Sequence, residues 1–285
     1  MTIKYDFDVD LADPNNGHSL IHQLAVGSGR PGMEVLEIGC SSGYVGATLV
    51  AKGHRVTGVE LDPEAAEAAR AALQEVFTGD ADAFFRAHPD RRFDAILLGD
   101  VLEHMAEPGA TLAVCASRLD ADGALAISLP CVAHGSIRAM LLEGRWDYAD
   151  FGLLDRTHLR FFSYRGMLDL LTSAGLRIER LHAVVMPIET ASREYGMGLT
   201  AESIAAVESL AKDEGLLDFQ YLILARPAAT TAGLAEHNAA VPVQRVPAPR
   251  RPGEKSAAQQ WRVSAFRKLL GGIARRRFRG AERAG

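Results

Sequence analysis

The feature that most constrains the fold is an alternation of short apolar runs with amphipathic stretches between Met33 and Arg226. This alternation is typical of an open α/β sheet whose faces are covered by helices. The predicted strands are Met33–Ile38, Arg55–Glu60, Val76–Gly79, Phe93–Gly99, Ala124–Leu129, Arg177–Val185 and Phe219–Ala225. The predicted helices are Tyr44–Lys52, Pro63–Leu73, Ala81–His88, Pro108–Leu119, Ser136–Glu143, Tyr164–Ala174 and Ala201–Lys212. The sequence therefore predicts a seven-stranded, mostly parallel sheet.

Charge is distributed unequally along the chain. The 285 residues carry a net charge of −5, but residues 1–226 hold 19 basic and 33 acidic residues, whereas residues 227–285 hold 12 basic and 3 acidic ones. We therefore predict an acidic domain, residues 1–226, followed by a flexible linker, residues 227–256, rich in Ala, Pro, Thr and Val. Residues 257–285 place apolar side chains at helical spacing among arginines, which predicts a short basic amphipathic helix.

Several classes of protein are disfavoured. The longest stretch without Asp, Glu, Lys or Arg, Pro14–Gly29, has 16 residues, whereas a membrane-spanning helix needs about 20 apolar residues. The N-terminus lacks the apolar core of a signal peptide. The three cysteines, Cys40, Cys115 and Cys131, are widely spaced, which predicts reduced thiols rather than a zinc site. We expect a cytoplasmic protein.

The basic tail has several alternative roles. It is either a disordered extension or a contact to an anionic inner membrane surface or to a glycosyltransferase partner. Nucleic acid is a disfavoured partner, because the acidic body would repel phosphates.

A loop of small residues, 39–43, joins the first predicted strand to the first predicted helix. Such a loop lets backbone N–H groups approach a ligand where a Cβ atom would collide. It is not a dinucleotide fingerprint, because Ser41 and Tyr44 stand where the second and third glycines belong. A phosphate loop is also excluded, because no Gly-Lys-Ser/Thr follows.

Acidic residues mark the carboxyl ends of the first four strands, namely Glu37, Glu60, Asp80 and Asp100. Each one alone is commonly a helix cap. Together they lie at the edge where open α/β sheets bind ligands, and four acids favour a ligand that carries positive charge.

The strings Glu37-Ile-Gly-Cys-Ser-Ser-Gly43, Val59-Glu-Leu-Asp62, Gly79-Asp-Ala81 and Phe93–His104 resemble successive motifs of class I S-adenosylmethionine-dependent methyltransferases. The resemblance covers about residues 15–226 and implies a doubly wound Rossmann-like sheet with S-adenosylmethionine as cofactor. The cofactor-binding residues that it implies are Glu37, Gly39, Cys40, Gly43, Glu60, Leu61, Asp80, Ala81 and Asp100.

Within that resemblance, the glycine loop and Glu37 would cradle the methionine part, Glu60 would hold the ribose and Asp80 the adenine. Ser41 stands where the family usually has a glycine. Because a side chain disfavours the left-handed region, we expect Ser41 to avoid a positive φ.

Further strings, Asp13–His18, Ser128–Ser136, Gly144–Tyr148 and Leu154–Phe162, resemble a methyltransferase subgroup associated with glycosyltransferases and surface-polysaccharide genes. That resemblance implies O-methylation of a sugar or glycan-linked acceptor. Quinone methyltransferases share the string Val101–His104, so a quinone-like or lipid-linked acceptor at the membrane surface remains open. A third alternative is a non-catalytic partner of glycosyltransferases.

An oxygen acceptor gains from a base near neutral pH, and histidine is the obvious candidate. The candidates are His104, His134 and His158, and the alternative for each is a structural histidine that bonds a backbone carbonyl. Acceptor-binding candidates in the predicted lid, residues 131–165, are Trp146, Tyr148, Asp155, Arg156 and Arg160. Asp155 is placed to orient the ring of His158.

Two further expectations concern the N-terminus and metals. Residues 1–30 are predicted to form a cap in which His18 closes over the cofactor. No metal is expected, because Val101–Met105 offers one Glu-His pair, which is a poor magnesium site.

Overall fold

The computed structural model describes residue 3 and residues 9–13, 16–27, 30–211 and 213–248. The strands are β1 Glu34–Ile38, β2 Arg55–Glu60, β3 Glu75–Thr78, β4 Phe93–Gly99, β5 Leu119–Pro130, β6 Leu176–Val185, β7 Asp218–Pro227 and β8 Val243–Pro247. The helices are α1 Gly17–Val26, α2 Tyr44–Val50, α3 Pro63–Ala69, α4 Ala81–Ala87, α5 Pro108–Ser117, α6 Gly135–Leu142, α7 Tyr164–Ser173, α8 Ile188–Glu194, α9 Ala201–Leu210 and α10 Leu234–Ala240. A 3-10 helix, Leu102–His104, follows β4.

The strands form one sheet in the order β3-β2-β1-β4-β5-β7-β6-β8. Strand β1 pairs in parallel with both β2 and β4, and β7 runs antiparallel between β5 and β6. The strand order reverses between β1 and β4, because the chain returns to the middle of the sheet after β3. In a sheet of this kind the ligand crevice lies at that reversal, beyond the carboxyl ends of the strands. The predicted α/β class is confirmed.

Both faces of the sheet are buried, and alternate residues of each central strand belong to different halves of the core. Leu36 and Ile96 lie in one hydrophobic cluster, whereas Val35 and Leu97 lie in the cluster on the opposite face. Burial of both faces explains why the central strands read as continuous apolar runs. It also makes the strand positions predictable from the sequence.

Residues 227–248 correct the predicted linker. They form the end of β7, then α10 and β8, and β8 pairs in parallel with β6. The sheet therefore has eight strands rather than seven. The strand was missed because Val243–Pro247 is half-exposed and lacks an alternating pattern, and its partner is the free edge of β6. Residues 249–285, which include the predicted basic helix, lie outside the described residues.

Asn238 attaches this C-terminal segment to the domain. Its side chain is fully buried, accepts a hydrogen bond from the backbone N–H of Ile178 at 2.8 Å, and donates to Thr172 Oγ1 and the carbonyl of Leu176. Leu234 of the same helix is also buried. A buried amide with three protein partners fixes a segment strongly, because each lost partner leaves an unpaired polar group.

Two further helices were not predicted. Helix α1 packs against β4, β5 and β7, and its N-cap Asn16 accepts from the backbone N–H of His18. Helix α8 lies in the segment between β6 and β7 and follows Pro187. Helix α8 has only seven residues. Within the described ranges, no helix is long and apolar enough to cross a bilayer.

We expect truncation after Arg226 to destabilise the domain, whereas truncation after Ala248 leaves it intact. The shorter chain loses the bonds of Asn238 and uncovers the edge of β6, which costs at least about 2 kcal/mol and lowers Tm by about 4 °C or more. Thermal unfolding of residues 1–226, residues 1–248 and the full chain measures the difference. Equal Tm values for the two truncated chains would contradict the structural role of α10 and β8.

Candidate active site

The loop after β1 turns through three left-handed residues. Gly39, Ser41 and Gly43 have φ values of +73°, +50° and +80°. A Cβ atom on Gly39 would lie 2.7 Å from Cγ2 of Val101, so only glycine fits there. The expectation that Ser41 avoids a positive φ was wrong. The backbone N–H of Ser41 donates to Glu60 Oε2 at 2.8 Å, and this bond compensates the unfavourable conformation.

Glu60, at the end of β2, holds the glycine loop in place. Its Oε2 accepts from Ser41, and its Oε1 accepts from the backbone N–H of Asp62 at 2.8 Å. Each carboxylate oxygen has a second lone pair, so Glu60 can still accept hydrogen bonds from a ligand. Glu60 was predicted to bind a ligand, and it also holds the glycine loop in place.

Glu37 is a buried carboxylate at the base of the loop. Its Oε2 has no hydrogen-bond partner within the described part of the chain. Burial raises the pKa of Glu37 to about 8, and the negative charge of nearby Glu60 adds to this effect. An unpaired buried carboxylate is costly, and a cationic ligand group would remove that cost.

We call the edge of the sheet at the carboxyl ends of β1 to β4 the rim. Its outer part combines an apolar surface with a capped helix. Leu61 is 71% exposed beside Glu60, which leaves an apolar surface for a flat ligand. Asp80 caps α4, because its Oδ1 accepts from the backbone N–H of Ala83 at 2.6 Å. Ala81 begins the same helix. Cys40 is buried, so its contribution to a ligand site would come from its backbone.

Asp100, at the end of β4, is fixed by two neighbouring strands. Its φ is +48°, and its backbone N–H donates to Ser128 Oγ, whose hydroxyl donates back to Oδ1 at 2.9 Å. Gln220 Nε2 donates to both carboxylate oxygens, at 2.8 and 2.7 Å. Sequence reasoning missed Gln220, which lies on β7, 120 positions away, and no sequence signal marks it.

His134 was predicted as a candidate base, but its environment is that of a structural residue. The ring is fully buried, Nε2 lies 2.8 Å from the carbonyl oxygen of Met186, and Nδ1 lies 2.8 Å from Ser136 Oγ. Burial lowers the pKa of His134 to about 4. Because both ring nitrogens bond groups of the protein, we do not propose His134 as the catalytic base.

His104 and His158 lie together. Their ring centroids are 4.8 Å apart in an edge-on arrangement, and the Nε2 of His158 lies 4.0 Å from Oε1 of Glu103. Burial lowers the pKa of His158, and neighbouring His104 lowers it further. Glu103 was not predicted as a site residue. The sequence shows that Glu103 adjoins His104, but it does not show that His158 approaches them.

The remaining acceptor-side residues lie in the predicted lid, where α6 and a long loop lead to α7. Trp146 and Tyr148 are 37% and 51% exposed. Asp155 is buried and accepts from both the N–H and the hydroxyl of Thr157, while its charge raises the pKa of His158. The ring of His158 is oriented through Nδ1 by the carbonyl oxygen of Leu153, at 3.3 Å.

The two arginines predicted to bind the acceptor have partners in the protein. Arg156 pairs with Asp150 at 2.9 Å, and Arg160 donates to the carbonyl oxygen of Ala106 at 2.6 Å. Both side chains are about half exposed or more. His18, on α1, packs edge-on against Tyr44 at 5.1 Å, next to the glycine loop.

The chain matches a family model described as a methyltransferase domain over residues 16–181. A ubiquinone biosynthesis O-methyltransferase of Xanthomonas campestris is 29% identical over 136 residues, which are 42% of this chain and 57% of the relative. One of Thiobacillus denitrificans is 28% identical over 163 residues, 49% of this chain and 70% of the relative. The chain thus spans little more than half the length of the Xanthomonas relative.

Two solved structures share the fold. A SAM-dependent methyltransferase from Archaeoglobus fulgidus has a TM-score of 0.51 and 17% identity, and the match covers 74% of this chain and 94% of that one. The magnesium protoporphyrin IX methyltransferase of Synechocystis, determined with bound SAH, has a TM-score of 0.50 and 17% identity over 79% of this chain and 91% of that one.

The chain belongs to the methyltransferase domain family. Its sheet is Rossmann-like, as the sequence motifs predicted.

We expect Glu37→Gln to flatten the pH dependence of stability. With its pKa raised from 4.5 to about 8, Glu37 keeps a proton in the folded protein that the unfolded chain has released. Its contribution to stability is therefore full below pH 4.5 and is lost as the pH rises through 8. Glutamine keeps the shape of the side chain without the titration. Thermal unfolding without cofactor between about pH 5 and pH 8 measures the slope.

Glu34→Gln is the matched control, because Glu34 lies on the same strand with its side chain 44% exposed. We expect this variant to keep the slope of the native protein. If Glu37→Gln and Glu34→Gln have the same slope, Glu37 does not titrate in this range.

Proposed function

We propose that the protein transfers a methyl group from S-adenosylmethionine to the hydroxyl oxygen of a quinone-like, phenolic acceptor. The observation that carries the proposal is the group that Glu103 and His104, directly after β4, form with His158 from the loop before α7. Val101 of the same segment contacts the glycine loop, so this group lies beside the proposed cofactor site.

The rim offers suitable groups to the methionine, ribose and adenine parts of the cofactor. The glycine loop turns tightly through left-handed residues. The buried Oε2 of Glu37, which has no hydrogen-bond partner among the described residues, suits a positively charged group such as the ammonium of the methionine part. Glu60 keeps lone pairs for the ribose hydroxyls, and exposed Leu61 offers an apolar surface to the adenine. Asp80, at the edge, is left to accept from the adenine amino group. When bound, this cofactor supplies the methyl group on a sulfonium.

The chain's own contribution is to place the acceptor oxygen and to remove its proton. His158 is held through Nδ1, so its Nε2 is the atom that faces the acceptor. Burial lowers the pKa of His158, which makes it a weak base. A weak base suits a phenolic hydroxyl, whose pKa is about 10 as in tyrosine, better than a sugar alcohol, which is much less acidic.

The aromatic side chains of the lid support the same acceptor class. Trp146 packs edge-on against Phe161 at 5.4 Å, and Phe161 in turn lies 6.1 Å from the ring of His158. An aromatic wall beside the histidines would stack on a planar ring. The names of the relatives favour a quinone-like acceptor over the glycan acceptor, which rests on string resemblance alone.

Cofactor binding is tested by calorimetry with S-adenosylmethionine. We expect Glu60→Ala to weaken binding about tenfold or more, because it removes charged acceptors for the ribose and releases Ser41. Glu64→Ala, on the first turn of α3, is the control and retains binding. If the native protein gives no heat at millimolar cofactor, the enzymatic proposal is wrong and the non-catalytic alternative gains.

Acceptor chemistry is tested by methyl transfer to a catechol, a hydroxylated quinol and a panel of nucleotide sugars. We expect turnover with the phenols, reduced about 100-fold or more in His158→Ala with cofactor affinity unchanged. His134→Asn tests the excluded histidine and keeps turnover per folded molecule. Methylation of sugars but not phenols would overturn the acceptor assignment.

A further inference from the structure

Three metal-ligating side chains from two separate segments meet at the acceptor side of the rim. Glu103 and His104 belong to the 3-10 helix after β4, and His158 lies in the loop before α7. Each offers one ligand atom, and these atoms lie within 4.8 Å of one another. We call these residues the Glu103–His104–His158 cluster.

The backbone joins the two segments of the cluster. The carbonyl oxygen of Glu103 accepts from the N–H groups of Leu159 and Arg160, at 2.8 and 3.0 Å. The approach of His158 to Glu103 is therefore set by main-chain hydrogen bonds as well as by side-chain packing. A site built on fixed backbone is preorganised for a ligand.

Glu103 is a buried acidic side chain. Its side chain is 1% exposed, and its Oε2 has no hydrogen-bond partner among the described residues. A carboxylate in this position needs a proton or a cation beside it.

The two imidazoles present the nitrogen that a cation requires. The Nδ1 of His104 lies 3.1 Å from the carbonyl oxygen of Thr157, and the Nδ1 of His158 lies 3.3 Å from that of Leu153. A carbonyl only accepts, so Nδ1 carries the hydrogen in each neutral ring and Nε2 carries the lone pair. Metal-binding histidines are typically held in this way, through the nitrogen that does not bind the metal.

A proton shared inside the cluster does not satisfy the geometry. The Nε2 of His158 and Oε1 of Glu103 are 4.0 Å apart, which is too long for a hydrogen bond. A metal ion about 2.1 Å from each ligand would sit between atoms about 3 to 4 Å apart. The cluster reaches that geometry by contracting about 1 Å, which small side-chain rotations supply.

We propose that Glu103, His104 and His158 bind a divalent transition-metal ion, such as Zn²⁺, Mn²⁺ or Fe²⁺, whose open positions take the acceptor oxygen. Two imidazoles and one carboxylate favour these ions over Ca²⁺ and Mg²⁺, which prefer oxygen ligands. The acidic side chains of Asp100 and Asp155 add a negative field that attracts a cation. The cluster corrects the expectation of a lone Glu-His pair, because the fold supplies His158 as a third ligand.

The role of the ion rests on the proposed function. A hydroxyl oxygen bound to a divalent cation loses its proton more easily, because the cation stabilises the oxyanion. The proton leaves to solvent or to a buffer base, and the oxyanion keeps the electron pair that forms the new O–CH₃ bond as the sulfonium C–S bond breaks. With His158 as a ligand, activation of the acceptor passes from the imidazole to the ion.

Metal binding is tested first, without reference to activity. The full chain is treated with a chelator and titrated with Co²⁺, followed by visible absorption and calorimetry. We expect one Co²⁺ per chain, and at least about tenfold weaker binding in both His158→Ala and Glu103→Gln. His237→Ala, on α10, is the histidine control and keeps native binding. Failure to bind Co²⁺, or equal binding in all variants, would overturn the site.

Thermal unfolding separates a ligand from a structural residue. Added Zn²⁺ or Mn²⁺ raises the Tm of the native protein, because the ion binds the folded state only. In Glu103→Gln we expect that rise to disappear, while the metal-free variant is at least as stable as the native protein since a buried charge has been removed. A metal-free variant that unfolds early and still gains Tm with metal would contradict the assignment.

Turnover tests the role of the ion and distinguishes it from the proposed function. If cofactor binds and the chelated enzyme keeps full turnover with phenols, the ion does not activate the acceptor and that part of the inference is wrong. If no cofactor binds but Co²⁺ binds the cluster, the proposed function fails and the metal site stands.

Discussion

The arrangement of the site depends on how the carboxylate of Asp100 is held at the end of β4. Ser128 on β5 and Gln220 on β7 both donate to it, and the backbone of Asp100 turns through a left-handed conformation at the same point. The chain therefore leaves β4 along one defined path. That path brings Val101 against Gly39 and places Glu103 and His104 at the acceptor side. One polar network thus positions both halves of the site.

Two buried carboxylates in this rim have an oxygen without a partner in the described residues, Glu37 and Glu103. A buried oxygen without a partner is costly, and both of these oxygens lie where a cation is proposed to bind. Glu37 adjoins the loop that is proposed to bind the sulfonium cofactor, and Glu103 belongs to the Glu103–His104–His158 cluster. The surrounding acidic charge of residues 1–226 stabilises cations at both positions. The same buried carboxylate oxygens would therefore destabilise the protein alone and favour a bound cation.

The C-terminal segment changes how the charge of the molecule is divided. Residues 227–248 belong to the domain, because β8 extends the sheet and Asn238 is buried against α7 and β6. Residues 249–285 still hold 11 basic and 2 acidic residues. Since β8 runs parallel to β6 and β5, the chain leaves it at the same edge of the sheet as the cofactor loop. The described chain therefore ends at that edge, five strands away from β1.

The sequence by itself determined the sheet, the glycine loop and the acids at the strand ends, because strands buried on both faces leave long apolar runs and parallel strands end at a common edge. Tertiary structure alone decided the surroundings of each histidine. His134 and His158 look alike in the sequence, yet one bonds Met186 and Ser136 and the other meets Glu103 and His104. The positions of Gln220, β8 and His158 depend on contacts between distant parts of the chain. Such contacts leave no local pattern in the sequence.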